Sequence, residues 1–375
     1  MQVDIAIVGG GIAGASAAYF LSKHGSVALI EREEHFGYHS SGRTAAQFTV
    51  GISADTMRRM AQASRGFLEA PPPGFAEGAL LSPRGCLTVG RHENEARLTR
   101  LADRLAKAGA RAQRLDRDEA LALFPALRPE VFDLGVYEAD AMDIDVDRLL
   151  QGYLRGARAA GARLVTAAGI EAIAKEDGRW RLAWPGGEIV AQTIVNAAGA
   201  WADEMAAMAG LRPIGNVPHR RTAFTFALQK EFDTRNWPHL GTAADDWYVK
   251  PEPGCLMGSL SDAVPVAPGD AYPEDIDIAQ AIANIERDTR LHVGRPLSQW
   301  AGLRSFVQDR EPVAGAHRDE ASFFWLAGQG GCGILTSPAM GQAIAALVAG
   351  SPLPPLIAEH GVSEADLSPR RSGLA

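Results

Sequence analysis

An apolar run, Ile5 to Val8, stops at Gly9-Gly10-Gly11-Ile12-Ala13-Gly14, and no other stretch of the chain restricts its folding so strongly. In this spacing Gly9 makes a tight turn, Gly11 lets backbone approach a pyrophosphate, and Gly14 lets a helix pack closely on the strand. Ala15 to His24 continues with helical spacing, Gly25 closes it, and a second apolar run, Val27 to Ile30, follows. Glu31 ends that run about twenty residues after the glycines, where a carboxylate accepts hydrogen bonds from ribose hydroxyls. The first residues therefore specify a β-α-β unit that holds a dinucleotide.

A chain of 375 residues exceeds the usual span of one hydrophobic core, so two domains are expected, interleaved rather than sequential. With 46% hydrophobic and 22% charged residues the makeup is that of a soluble globular protein, and a formal net charge of -8 argues against nucleic acid as a partner. The three cysteines, Cys86, Cys255 and Cys332, are odd in number and far apart, which suits a reducing compartment. The N-terminus starts directly with a strand. The longest apolar run, around Ala343 to Ala349, falls short of the ~20 residues that span a bilayer. These features imply a cytoplasmic protein with no transmembrane segment; contact with the inner face of the membrane is left open, as is the oligomeric state.

Further along, "HFGYHSSGRTAAQ" is longer than a tight βα connection requires, so something extended lies along it. Ala54 to Glu69 and Arg91 to Ala110 read as helices, and Asp145 or Asp147 caps another that runs to about Ala160. "ARLVTA" is a strand, and "RWRLAWPGGEIVAQTIVNAAG" a strand, a turn and a strand. Period-2 alternation between Pro218 and Leu260 predicts a mixed or antiparallel sheet. The last stretch is strand, glycine loop and helix, with Thr336 or Ser337 as N-cap and Pro338 in the first turn. The fold class is α/β: a Rossmann-like domain (1–79, 143–214, 301–375) interleaved with an α+β substrate domain on a mixed sheet (80–142, 215–300).

NAD and FAD share the opening unit. No second G-x-G-x-x-G occurs, Gly37 to Arg43 offers small residues and one cation, and a second glycine loop (Gly328, Gly330, Gly331, Gly333) leads into a helix N-terminus that favours anionic charge. Two motifs at opposite ends of the chain favour FAD. Asp143, Asp145 and Asp147 resemble the start of a calcium loop, but Arg148 stands where glycine is needed and Leu154 where glutamate belongs. No metal site and no serine-hydrolase motif is expected.

Over essentially its whole length the chain resembles the D-amino-acid oxidase superfamily, and within it the bacterial D-arginine dehydrogenases. The resemblance is carried by "GGGIAGASAAYFLS", "GYHSSGRTAAQFTV", "LLSPR", "QGYLRG", "VNAAGAW", "RRTAF", "WAGLRSFV", "GQGGCGILTSPAMG" and "LSPRR". It implies noncovalent FAD held by Gly9, Gly11, Ile12, Ala13, Gly14, Glu31, Arg32, Ser40, Ser41, Gly42, Arg43, Ala45, Ala46, Gln47, Ile170, Ala198, Gly199, Trp201, Gly302, Gly330, Gly331, Gly333, Ile334 and Thr336. By the same resemblance Arg304, Tyr248 and Arg221 bind a substrate carboxylate, a role suited to guanidinium forks and a phenol.

Departures from the subgroup shape the substrate expectation. Ile52 and Cys86 replace a tyrosine and a glutamate that receive the guanidinium, Leu335 and Cys332 replace a glutamine and a tyrosine beside Gly331, and Gln47 replaces a histidine near the amine. Arginine and lysine are then expected to be poor substrates, because a buried cation would lack its partner. The expected reaction is oxidative deamination of neutral, apolar D-amino acids by hydride transfer from Cα to flavin N5. It gives an imino acid that hydrolyses to a 2-oxo acid and ammonia, with a quinone or other electron acceptor if the enzyme is a dehydrogenase; an oxidase is not excluded. Handedness rests on the resemblance alone. The alternatives are oxidation of glycine- or sarcosine-type amines or of a 2-hydroxy acid, and a flavin-binding protein without turnover. Cys332 is read as a space-filling residue rather than a point of flavin attachment.

Overall fold

In the computed structural model, residues 1–374 are described. The opening strand Gln2–Val8 lies between Val27–Ile30 and Gly187–Asn196, parallel to both, in an eight-stranded sheet. Phe323–Ala327 extends that sheet in parallel beside Gly187–Asn196, and the hairpin strands Ala172–Glu176 and Arg179–Trp184 complete one side. Val27–Ile30 is buried along its whole length, as expected for a strand covered on both faces.

The first helix, Ile12–Leu21, is apolar almost all round and correspondingly enclosed. Small residues decide what can pack on it. A Cβ at Gly14 would collide with the Gly9 carbonyl, one at Gly156 would collide with the Tyr19 ring, and one at Gly341 would stand 2.7 Å from Phe20. The helices Val146–Ala159 and Gly333–Val348 therefore lie directly against it. Asp145 caps the former by accepting from the Arg148 amide at 2.9 Å.

The sequence reading of the last helix needs correction. It begins at Gly333, so Thr336 and Ser337 lie inside it, and Pro338 is an interior residue rather than a first-turn one. Proline removes the amide that would reach the Ile334 carbonyl, and the Ser337 hydroxyl donates to that carbonyl instead at 2.9 Å. The helix cap therefore stands at Cys332, four or five residues closer to the glycine loop than expected.

A second, nine-stranded sheet is mixed. Val217–Ala227 pairs antiparallel with Ser298–Phe306 and with Cys255–Ser259, while His239–Thr242 runs parallel to Cys86–Gly90 and antiparallel to Tyr248–Glu252. Strand Ser298–Phe306 belongs to this sheet although two thirds of it lies beyond the expected boundary at 301. Ser40 Oγ donates to the Leu303 carbonyl at 2.6 Å, tying the Gly37–Arg43 loop to that strand. Among the described residues no helix is long and apolar enough to cross a membrane.

Gly14→Ala tests the close packing at the start of the first helix. Overpacking costs about 1–3 kcal/mol. Purified variant is expected to melt earlier and to carry less than half the flavin of the parent, read from thermal unfolding and visible absorbance.

Candidate active site

One cavity of about 440 Å³ runs from Glu31, Arg32, Ile170 and Trp201 past the first helix N-terminus (Gly9, Gly11, Ile12, Ala13) to Ser40, Ser41, Gly330 and Gly333. Ala198 and Gly199 form its wall. At one end the buried Glu31 carboxylate accepts the Gly10 amide at 2.7 Å and the Glu33 amide at 2.9 Å, which holds it at the rim with lone pairs to spare. The Arg32 guanidinium sits 5.0 Å over the Trp201 ring. Gly9 adopts φ +104°, and a Cβ there would stand 2.5 Å from the Ala197 carbonyl, so only glycine makes this turn. The space at Gly11 stays open toward the cavity apart from Ser41 Oγ, which accepts the Ile12 amide at 2.9 Å.

The far end brings a second helix N-terminus, Gly333, to the same space. Gln329 lines it too, and its Nε2 is buried without a hydrogen-bond partner. An acid at one end, a helix N-terminus along the way, and a second helix N-terminus with a buried unpartnered donor at the far end fit an extended dinucleotide with a second ring system.

A smaller cavity of about 90 Å³ adjoins this end and shares Ser40, Ser41, Gly330 and Gly333 with it. Tyr248, Arg221 and Arg304 line it together with Arg43, Ala45, Gly302, Gly331 and Ile334. The Arg304 guanidinium packs against backbone at Gly331, where a Cβ would stand 3.0 Å from Nε. Arg43 is neutralised by Asp270 at 2.6 Å and donates to the Ala271 and Ala301 carbonyls.

Other expected residues lie outside both cavities. Gly14 and Gly42 face the Gly9 and Gly37 carbonyls, and Thr336 donates to the Cys332 carbonyl at 2.8 Å. Ala46 holds a turn at φ 25°, and Gln47 Nε2 donates to the Gly85 carbonyl at 3.2 Å. Ile52, Cys86, Cys332 and Leu335 line neither cavity; Leu335 is buried in the main core, and Ile52 and Cys332 pack against it. Cys86 sits opposite Glu138 in its ladder, so an acid does lie near that position. Both Glu138 oxygens are engaged, by Thr49 Oγ1 and the Val50 amide, and burial pushes its pKa up.

The structure adds residues that sequence reasoning missed. The His239 ring stacks 5.0 Å from that of Tyr248, and its buried Nδ1 has no partner. Burial, helped by the Lys250, Arg304 and Arg84 cations, pulls its pKa down to about 3, so the ring behind Tyr248 is neutral at neutral pH. Lys250, two residues beyond Tyr248 and thus on the same face of the strand, donates to the Ala45 carbonyl at 2.8 Å and pairs with Glu252 at 2.9 Å and Asp143 at 3.2 Å. It holds the loop that lines the smaller cavity. The alternation in "WYVKP" is the signal that could have pointed to Lys250; nothing local points to His239.

Residues 4–347 match the profile of DAO, the FAD dependent oxidoreductases. The chain belongs to this family. Among its relatives, glycine oxidase of Geobacillus kaustophilus (strain HTA426) is 26% identical, covering 92% of this chain and 93% of that protein. Mitochondrial dimethylglycine dehydrogenase of Homo sapiens is 25% identical over 91% of this chain, which spans only 42% of that longer protein. The fold matches a crystal structure of glycine oxidase from Geobacillus kaustophilus with a TM-score of 0.82 at 23% identity, covering 93% of this chain and 95% of the other. As in the rest of the family, FAD is the cofactor, and the larger cavity is where the chain's own residues fit it.

Burial pushes the Cys332 thiol up to about 11, only partly offset by Arg304, so it stays protonated at neutral pH and is a poor nucleophile. Alkylation of Cys332 by iodoacetamide, followed by peptide mass spectrometry, is expected to be slow at pH 7.5. It should quicken about tenfold per pH unit as the pKa is approached.

Proposed function

We propose that this chain oxidises the carbon–nitrogen bond of a small amino acid of the glycine or sarcosine type, with bound FAD as electron acceptor. The observation that carries the reading is the meeting of Arg304, Tyr248 and Arg221 in one small cavity at the end of the dinucleotide cavity. The cavity is small, about 90 Å³, which favours a compact substrate. A substrate as compact as glycine or sarcosine suits it better than one with a phenyl ring. The names of the glycine oxidase and dimethylglycine dehydrogenase relatives point the same way. Small D-amino acids are the second reading, favoured by the motif resemblance to D-arginine dehydrogenases, and the same clamp serves both.

The residues act by holding and by charge. Guanidiniums and the phenol fix the carboxylate, which fixes Cα one bond away. Among the described residues the lining contains Arg221 and Arg304 without ion-pair partners and no carboxylate, imidazole or lysine, so a substrate ammonium is disfavoured and the neutral amine is the bound form. Cα gives up a hydride and the nitrogen a proton, forming C=N; water then yields a 2-oxo acid and ammonia or an amine. FAD when bound accepts the two electrons. The cationic lining also explains why arginine would be excluded without invoking Ile52 or Cys86.

Anaerobic mixing with glycine, sarcosine, D-alanine, D-methionine, D-phenylalanine, D-arginine and glycolate tests this reading. Flavin absorbance is expected to bleach with the small amino acids, slowly or not at all with D-phenylalanine and D-arginine, and not with glycolate. No bleaching by any amino acid would contradict it. The reduction rate should rise with pH through an apparent pKa below that of the free amine, because the cations favour its neutral form. Arg304→Ala should raise KM about 10- to 100-fold, the loss of a charged hydrogen bond of about 1.5–3 kcal/mol.

A further inference from the structure

Arg221 and Arg304 come from adjacent antiparallel strands in which Arg221 faces Gly302 and His219 faces Arg304. Opposed residues share a face and every second residue returns to it, so the two arginines occupy one face on a diagonal, about 7–8 Å apart at the backbone. Gly302, directly across from Arg221, adds no side chain of its own to that face, and the Arg43 carbonyl lies 3.3 Å from where its Cβ would stand.

Among the described residues neither guanidinium has a carboxylate within 4.0 Å. Arg221 Nε donates to the Asp262 main-chain carbonyl at 2.6 Å, while the Asp262 carboxylate is taken by the Thr222 amide at 2.7 Å and hydroxyl at 3.1 Å. Burial, then the neighbouring Arg304, pushes the Arg221 pKa down, only partly offset by Tyr248, Asp245 and Asp262, an unfavourable setting for a permanent cation. Arg304 forms no hydrogen bond to the described residues and rests against Gly331. Nearby arginines differ: Arg43 pairs with Asp270 at 2.6 Å, and Arg220 with Glu274 at 2.8 Å and Asp277 at 2.7 Å. The charge deficit is confined to the two guanidiniums that line the small cavity together. One substrate carboxylate beside a neutral amine offsets half of it.

We propose that the preferred substrate carries two carboxylates, one held by Arg304 and Tyr248 and the other by Arg221: a short amino dicarboxylic acid or an N-carboxymethyl amino acid. This rests on the amino-acid reading above. Such a molecule is still compact, only a few atoms larger than sarcosine, in keeping with a cavity of about 90 Å³. It brings the second negative charge without a cation. The diagonal placement lets each guanidinium take its own carboxylate when two are present.

The test uses FAD-loaded protein and flavin absorbance. Titration with malonate and succinate against acetate and propionate reads binding, and anaerobic reduction by iminodiacetate and D-aspartate against sarcosine and D-alanine reads turnover. The inference expects a dicarboxylate to bind at least thirtyfold tighter than the matching monocarboxylate, and a dicarboxylic amino acid to give the higher kcat/KM. Arg221→Met should weaken the dicarboxylate at least ten times more than the monocarboxylate, and Arg221→Lys should recover part of that difference. Flavin content of each variant confirms folding. Equal binding of mono- and dicarboxylates, or equal weakening of both by Arg221→Met, would overturn the inference while reduction by sarcosine still upheld the amino-acid reading. No reduction by any acid would overturn both.

Discussion

Much of this molecule depends on the contact between Gly14 and the Gly9 carbonyl. Because a Cβ at Gly14 would collide there, the first helix starts hard against the end of the first strand, and its N-terminus opens on the larger cavity. Gly341 then admits Phe20 and Ser16, setting the last helix alongside the first. Two helices from opposite ends of the chain thus bring their N-termini to one space. Their partial positive charges and the buried, unpartnered Gln329 amide make that space suitable for an anionic, acceptor-rich cofactor.

The substrate side is built by a different device, strand register. Pairing of Val217–Ala227 with Ser298–Phe306 puts Arg221 and Arg304 on one face, and the Ser40 hydrogen bond to Leu303 ties that strand to the loop shared by both cavities. Tyr248 is backed by a neutral imidazole, and Lys250 anchors Ala45 from the same strand. A cationic, carboxylate-free lining therefore lies directly beside the cofactor cavity. The chemistry that such a lining favours is binding of a carboxylate whose amine is uncharged.

How far the sequence could be read follows from the range of the interactions. The β-α-β unit, Glu31, the Asp145 cap and the family were legible because each rests on residues close in the chain or on motifs kept in order. The start of the last helix was misplaced because a proline read as a first-turn residue is tolerated inside the helix, where the Ser337 hydroxyl serves the Ile334 carbonyl. Ile52, Cys86, Cys332 and Leu335 were expected at the substrate, yet which way a side chain faces depends on pairing and packing with distant elements. For the same reason His239, Glu138 and Gln329 escaped notice: their surroundings come from strands and loops far away in sequence.

Regiochemistry tests the central claim most directly. If the guanidinium clamp fixes the carboxylate, the carbon it places most tightly is Cα, one bond away. Flavin reduction by sarcosine deuterated at Cα should then be several-fold slower than by unlabelled sarcosine, and deuteration of the N-methyl group should have no such effect. An isotope effect on the methyl group alone would mean that the cluster of Arg304, Tyr248 and Arg221 does not orient the reacting bond.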